Sequence, residues 1–331
     1  MTCWLRAMGI VGAAIVASWM LAARAQTADA AMSYPDRPVR IVVGLGPGTP
    51  PDVRARQIAQ KLSAEWRQPV IVENRPGAGG QVAMEVVARA APDGYTLAMA
   101  SQSTLTIMPH LRRLPFDPFK DFVPVTGIGF APILLVTSGK LPVASAHQLI
   151  EHAKRNPGAL NAASYGEATI NHLALEQFNR SNGVRITHVP YGDGARAVTD
   201  LLNGQVQLSF DFLHLTRAHV RSGSLKALAV SGSKRLSAYP DIPTFAEAGV
   251  SGMDTVGGWL GLVAPANTPL AIVRKFQAAV ARAFEDPELV AQITELGAYA
   301  GASSPDEFAA FIRSEHARWG RLIADAGIRL E

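Results

Sequence analysis

Short apolar runs alternate along this chain with segments whose apolar positions recur at three and four residues. Ile41, Val42 and Val43 form a β-branched run that suits a buried strand. A loop rich in glycine and proline follows at 44–51. Ala55, Ile58, Ala59, Leu62 and Trp66 then fall on one helical face behind Asp52. The pattern repeats: 69–73 reads as a second strand parallel to the first, 81–90 as a helix ended by the turn Ala91-Pro92-Asp93-Gly94, and 95–100 as a third strand. Further strands are expected at 133–136, 186–190, 206–211, 225–231 and 259–263. Helices are expected at 145–155, 170–181, 194–202, 270–285 and 305–326. The stretches 114–122 and 240–249 read as irregular connectors. Alternation of strand and helix argues for an α/β protein with mostly parallel sheets.

The strand-to-helix junctions are the candidate functional positions. A loop between the carboxyl end of a strand and the amino end of a helix turns backbone N–H groups outward, which suits a carboxylate, phosphate or sulfate. The loop at 44–51 is one such place, and the glycine-rich stretch at 74–80 is another. The third strand delivers Ser101, Gln102, Ser103 and Thr104, which line a ligand crevice or form a solvated loop. The run Ser164-Tyr165-Gly166-Glu167-Ala168-Thr169 repeats the strand, small polar loop, helix order in the second half of the chain.

Composition narrows the picture. With 331 residues, 48% of them hydrophobic, the chain can bury one large core or two moderate ones, and its size favours two domains. The net charge of +4 comes with no Lys/Arg block interleaved with aromatics, so nucleic acid is not an expected partner. The single cysteine, Cys3, excludes an intrachain disulfide and a thiolate metal cluster. Arg6, the apolar run at 7–23 and the small-x-small triplet Ala23-Arg24-Ala25 read as a signal peptide over 1–25, with a second candidate cleavage site at Ala28-Asp29-Ala30. The run is short for an uncleaved anchor. The implied compartment is a bacterial periplasm.

Enzyme signatures are thin. The G-x-G-x-G at 44–48 lacks the dinucleotide spacing, no G-x-S-x-G is present, and nothing in the spacing of Ser164, His172 and Asp211 supports a triad. His172 reads as a helix residue packing near the 164–169 loop. His214 and His219 are five apart, off the face used by paired helical metal ligands. Trp259 and Tyr191 wall a cleft or pack in a core. Arg75 meets a ligand carboxylate or caps the surface.

Taken in order, YPDRPVRIVV, ENRPGAGG, AAPDGYTL, LPFDPFKDF, HLALEQF, HVPYGDGARAVTDLLNGQVQLSFD, LKALAVS, DIPTFAEAG and WLGLVAPANTP resemble the periplasmic solute-binding receptors of tripartite tricarboxylate transporters, the Bug receptors. The resemblance runs over 34–331. It implies a type II periplasmic binding protein with mixed, mostly parallel sheets, in which lobe one (34–135 plus 257–331) and lobe two (136–256) are joined by two crossing strands. It implies a monomeric receptor, not an enzyme, that captures a small carboxylate in the cleft and delivers it to the membrane components of the transporter, with no cofactor or metal. The alternatives are a sensory module for a membrane kinase and a secreted hydrolase. By the same resemblance the ligand-binding residues are Gly48 and Thr49 in the first loop, Ser164, Gly166, Ala168 and Thr169 in the second loop, and Asp211 near the cleft; Gln102 and Ser103 join them from the polar end of the third strand. Two departures from the family pattern stand out. Leu45 and Thr49 replace an aromatic and a glycine, and Pro50 and Pro51 remove two donors. Glu167 sets a carboxylate where a small or neutral residue is usual.

Overall fold

The computed structural model describes residues 33–166, 169–191, 194–295 and 297–328, without the side chains of Ala195, His214 and Leu215. The expected signal peptide with both cleavage sites, the loop residues Glu167 and Ala168, and the His214 side chain lie outside the described residues.

Nine strands are described: β1 (Val39–Val43), β2 (Val70–Asn74), β3 (Thr96–Ser101), β4 (Phe122–Ser138), β5 (Asn161–Ser164), β6 (Thr187–Pro190), β7 (Leu208–Phe212), β8 (Leu225–Val230) and β9 (Gly257–Pro265). They hydrogen-bond in the order β2-β1-β3-β9-β4-β7-β5-β6, with β8 also on β4. The helices are α1 (Pro50–Trp66), α2 (Gln81–Ala88), α3 (Ala146–Arg155), α4 (Ile170–Asn182), α5 (Gly194–Asn203), α6 (Leu213–Arg221), α7 (Leu270–Ala283), α8 (Pro287–Glu295) and α9 (Pro305–Ala326).

The sheet is mixed, and less parallel than the alternation suggests. β1–β2, β1–β3, β5–β6 and β5–β7 pair parallel, whereas β3–β9, β4–β7, β4–β8 and β4–β9 pair antiparallel. The reason is β4. It pairs with β9 through residues 122–132 and with β7 and β8 through residues 133–138, so one strand runs from one half of the sheet into the other. The chain returns through 231–256 into β9, which completes the second crossing. Sequence periodicity resolves only 133–136 of β4, because Pro124, Gly127, Gly129 and Pro132 read as breakers. The strand absorbs them by shifting register between Pro124 and Thr126 and again between Gly127 and Phe130.

Two helices go unmarked in the sequence pattern. α6 follows β7 with no glycine or proline between Phe212 and Leu213, and α8 follows α7 after only Asp286 and its neighbours. α9 carries every expected end signal: a capping box between Ser304 and Glu307, Pro305 in the first turn, and Gly327 left-handed at the end.

The core is layered around the sheet. Ala55, Ile58, Ala59 and Leu62 of α1 pack with Val39, Ile41 and Phe276 on one face of the first half, while Val42, Met84, Trp259 and Phe308 fill the other. Trp259 is a core residue, edge-on to Phe308 and Phe311. The second half buries Phe178, Phe210 and Phe245. α9 serves both halves: Phe308 and Ile312 join the first-half core, and Trp319, Leu322 and Ile323 join the second. Among the described residues no helix is long and apolar enough to cross a membrane.

Candidate functional site

The first loop leaves β1 at Gly44 and enters α1 at Pro50. A side chain on Gly44 would place its Cβ 2.5 Å from Gly80 Cα, so this glycine exists for a backbone-to-backbone contact with the start of α2. Gly48 adopts φ +80, and its N–H donates to Asp52 Oδ2 at 2.9 Å. The Thr49 hydroxyl donates to the Gly46 carbonyl at 2.6 Å, and the Thr49 N–H points at the same carbonyl at 3.4 Å. Asp52 is buried and forms the hub of the loop. It also accepts from Arg56 and from Asn74 Nδ2, whose amide in turn holds the Leu45 carbonyl. Burial works to raise the Asp52 pKa, but the hydrogen bonds from Arg56, Gly48 and Asn74 outweigh it and hold the carboxylate below its ordinary range.

The second loop leaves β5 at Ser164 and enters α4. Ser164 is buried, and its hydroxyl sits at the centre of the loop. It donates to the Gly166 carbonyl (2.9 Å), accepts from the Gly166 N–H (3.2 Å), and lies 2.6 Å from His188 Nε2. Gly166 has φ +130, open to glycine, and its carbonyl also receives the Thr169 hydroxyl at 2.8 Å. Thr169 caps α4, whose first two residues, Ile170 and Asn171, both carry an N–H.

Behind this loop stand two groups that sequence spacing does not reveal. His188 on β6 stacks on His172 of α4 with ring centroids 3.7 Å apart and planes within 4°. Burial, and then the neighbouring His188, push His172 down to about 4. The expected result is a His172 ring that stays neutral at pH 5. NMR of the histidine ring signals from pH 8 to 3, with His172 identified by its loss in His172→Gln, tests this; a midpoint at the ordinary value of 6.5 would rule out the buried stack. The second group is Tyr165, whose hydroxyl donates to Asp211 Oδ2 in a short contact, while the Phe212 N–H donates to Asp211 Oδ1 at 2.8 Å. Burial pushes Asp211 up to about 6, against the hydrogen bonds from Tyr165 and Phe212.

The structure therefore brings Ser164, Gly166 and Thr169 into one hydrogen-bonded loop and gives Gly48 and Thr49 internal partners in another. Among the described residues no hydrogen bond or ion pair joins the two loops. Gln102 is buried at the end of β3, where its Oε1 accepts the Trp259 N–H at 3.0 Å, and Ser103 opens the helical turn that follows. Arg75 pairs with Glu73 at 2.5 Å, and the Tyr191 hydroxyl with Asp200. Ser164, His172 and Asp211 do not form a triad: Ser164 meets His188, and Asp211 meets Tyr165. The spacing Thr49-x-x-Asp52 carries a signal for the first hub, since it matches an acidic cap three residues into a helix; none exists for His188, alternate in an edge strand.

Residues 54–328 match the family described as "Tripartite tricarboxylate transporter family receptor". The chain is 34% identical to the protein BugT of Bordetella pertussis, over 90% of this chain and 92% of that one. Its fold is similar to the R. palustris protein Rpa4515 solved with adipate, with a TM-score of 0.77 and 34% identity over 90% of this chain and 100% of that one. It is also similar to MatC from Rhodopseudomonas palustris solved with malate, with a TM-score of 0.72 and 33% identity over 88% of this chain and 100% of that one. The mixed α/β sheet with its crossing strand is thus a periplasmic binding protein fold, and the chain belongs to the tripartite tricarboxylate transporter receptor family.

Proposed function

We propose that this chain is a periplasmic receptor that captures a small organic acid between two lobes and delivers it to the membrane components of a tripartite tricarboxylate-type transporter. The lobes are 34–135 plus 257–331 and 136–256, and the receptor works as a monomer after removal of 1–25. The observation that carries the reading is the second loop. Ser164 and Thr169 both fix the Gly166 carbonyl, so Gly166 is anchored within the protein at the amino end of a helix, whose first-turn N–H groups suit an anion. Ser164, Gly166, Ala168 and Thr169 hold the ligand carboxylate. Gly48 and Thr49 face it from the other lobe, and Gln102, Ser103 and Asp211 shape the cleft from the strand ends. Ligand contact with both lobes favours the closed state, and the population shifts by the difference in contacts.

The Ser164 hydroxyl bonds both the carbonyl and the N–H of Gly166, an arrangement suited to holding a loop. Similar proteins solved with adipate and malate support a carboxylate as the ligand class. A thermal-shift screen of the chain from Gln26 onward, against mono-, di- and tricarboxylates with a neutral amide control, is expected to show saturable stabilisation by acids only. Ser164→Ala is expected to weaken the best acid about tenfold, since the loop loses its internal anchor. Equal stabilisation by the amide, or steady turnover of any acid or ester, would refute the receptor reading.

A further inference from the structure

The connector at 114–122, which the receptor reading leaves without a task, runs beside α9. Together with residues 109–113 it walls an open groove of about 510 Å³. The groove is held in shape from within. Pro109, Pro115 and Pro118 fix the backbone at three points of the wall. Asp117 accepts the N–H groups of Phe119 (2.9 Å) and Lys120 (3.1 Å), and Asp121 Oδ2 accepts that of Asp117 at 2.7 Å. Phe116 is buried, edge-on to Phe122 with ring centroids 5.5 Å apart. From α9 comes His316, whose ring centroid lies 4.0 Å from that of His110 and 4.9 Å from that of Phe119.

The charges around the groove are unevenly matched. Both carboxylates are committed inside the protein, to the backbone donors just named, and Asp117 also to Lys120 at 3.4 Å. The arginines are not. Arg112 and Arg113 are exposed, and among the described residues neither side chain makes a hydrogen bond or an ion pair. Beside them Phe119 is 44% exposed, although its ring is seated on His316. Two guanidinium groups and an exposed aromatic ring in one concavity complement a segment that carries carboxylates and an apolar side chain.

We propose that this groove docks an acidic segment of a partner protein, whose carboxylates meet Arg112 and Arg113 while an aromatic or branched aliphatic side chain packs on Phe119. A phospholipid surface fits less well, because such surfaces are read by clusters of about four to eight basic residues. A small free acid would stay largely in water in so open a groove, whereas small-molecule sites enclose most of their ligand. The groove is made by 109–121 and α9 alone, so the inference goes beyond the receptor reading and does not depend on the acid that the receptor carries.

The test is selection from a phage-displayed library of random twelve-residue peptides on the chain from Gln26 onward. Enriched peptides are expected to carry two or more Asp or Glu residues beside an aromatic or branched one. In fluorescence anisotropy, Arg112→Glu/Arg113→Glu is expected to bind them at least about tenfold more weakly than the parent, and Phe119→Ser about tenfold more weakly. Binding to the parent is expected to fall as salt rises. All three side chains are exposed, so both variants are expected to keep the parent's urea midpoint. Enriched peptides without acidic residues, or acidic peptides that bind the parent and the double variant alike, would overturn the inference. So would phosphatidylglycerol vesicles, or a second copy of the chain, that bind through these arginines in place of the peptides. The carboxylate screen repeated on the double variant separates the two readings. Acids are expected to stabilise it as they do the parent, and acid binding lost only in the double variant would make the groove the acid's own site and overturn the inference. No acid effect in either protein would sink the receptor reading alone.

Discussion

Gly44→Ala is expected to cost about 3 kcal/mol of folding stability, whereas Gly46→Ala, two residues on in the same loop, is expected to stay within about 0.5 kcal/mol of the parent. At Gly44 the new Cβ would lie 2.5 Å from Gly80 Cα and 3.0 Å from the Gly80 carbonyl oxygen. Both are backbone atoms, so no rotamer change relieves the clash. The end of β1 and the start of α2 must separate instead. Gly80 is in no position to yield, because it holds φ +98 and the space on its own Cβ side is filled by the Thr104 methyl group at 3.0 Å. At Gly46 a Cβ meets nothing within 4 Å, and the backbone is not left-handed. Urea unfolding of the two variants side by side measures the difference. Equal midpoints would mean that the Gly44–Gly80 contact does not constrain the loop. Because the displaced segment leads directly to Gly48 and Asp52, Gly44→Ala is also expected to loosen the hub that fixes the first loop.

That pair of glycines marks the boundary of what the sequence makes legible. Both stand in the same G-x-G-x-G, and nothing local separates them, because the partner that distinguishes them comes from 36 residues away. Elements with strong periodicity are readable: α1, α4, α7 and α9 begin and end within a few residues of the expected places. β4 is not, since proline and glycine at a register shift look like loop residues until the neighbouring strand is known. The same limit applies to the candidate site. The two strand-loop-helix junctions are visible as composition, but the side chains that fix them are visible only in part. Asp52 stands in a recognisable capping position. His188 and Tyr165 act through partners on other elements, His172 on α4 and Asp211 on β7, and no spacing rule links such residues. Conversely Gln102, polar and at a strand end, has the look of a ligand contact and is bonded to the β9 backbone.

Replacing Asp211 by asparagine is expected to change the pH profile of stability more than any substitution in the loops themselves. Asp211 is almost wholly buried, and burial lifts it from an ordinary value of 3.8 to about 6. As pH rises from about 4 to about 6, the unfolded chain releases this proton while the folded chain keeps it. Over that window the folded state binds more protons, so stability falls as pH rises and levels off above the folded value. A gap of about two pH units corresponds to about 3 kcal/mol by pH 7. Asparagine removes the charge, retains a carbonyl for the Tyr165 hydroxyl or the Phe212 N–H, and cannot titrate. The difference in unfolding free energy, variant minus parent, is therefore expected to rise by about 3 kcal/mol between pH 4 and pH 7 in favour of Asp211→Asn. Carboxylates held low in the folded state, such as Asp52 and Asp117, act with the opposite sign, but they do so in both proteins and cancel in the difference. Urea titrations at pH 4, 5, 6 and 7 provide the comparison. A difference that stays flat across that range would mean that Asp211 ionises as an ordinary acid does, with its charge carried by Tyr165 and the Phe212 N–H. A rising difference would mean that the folded chain tolerates this charge at a cost, and that the Tyr165 hydroxyl, which ties the second loop to β7, is held by a carboxyl group that exchanges its proton near neutral pH.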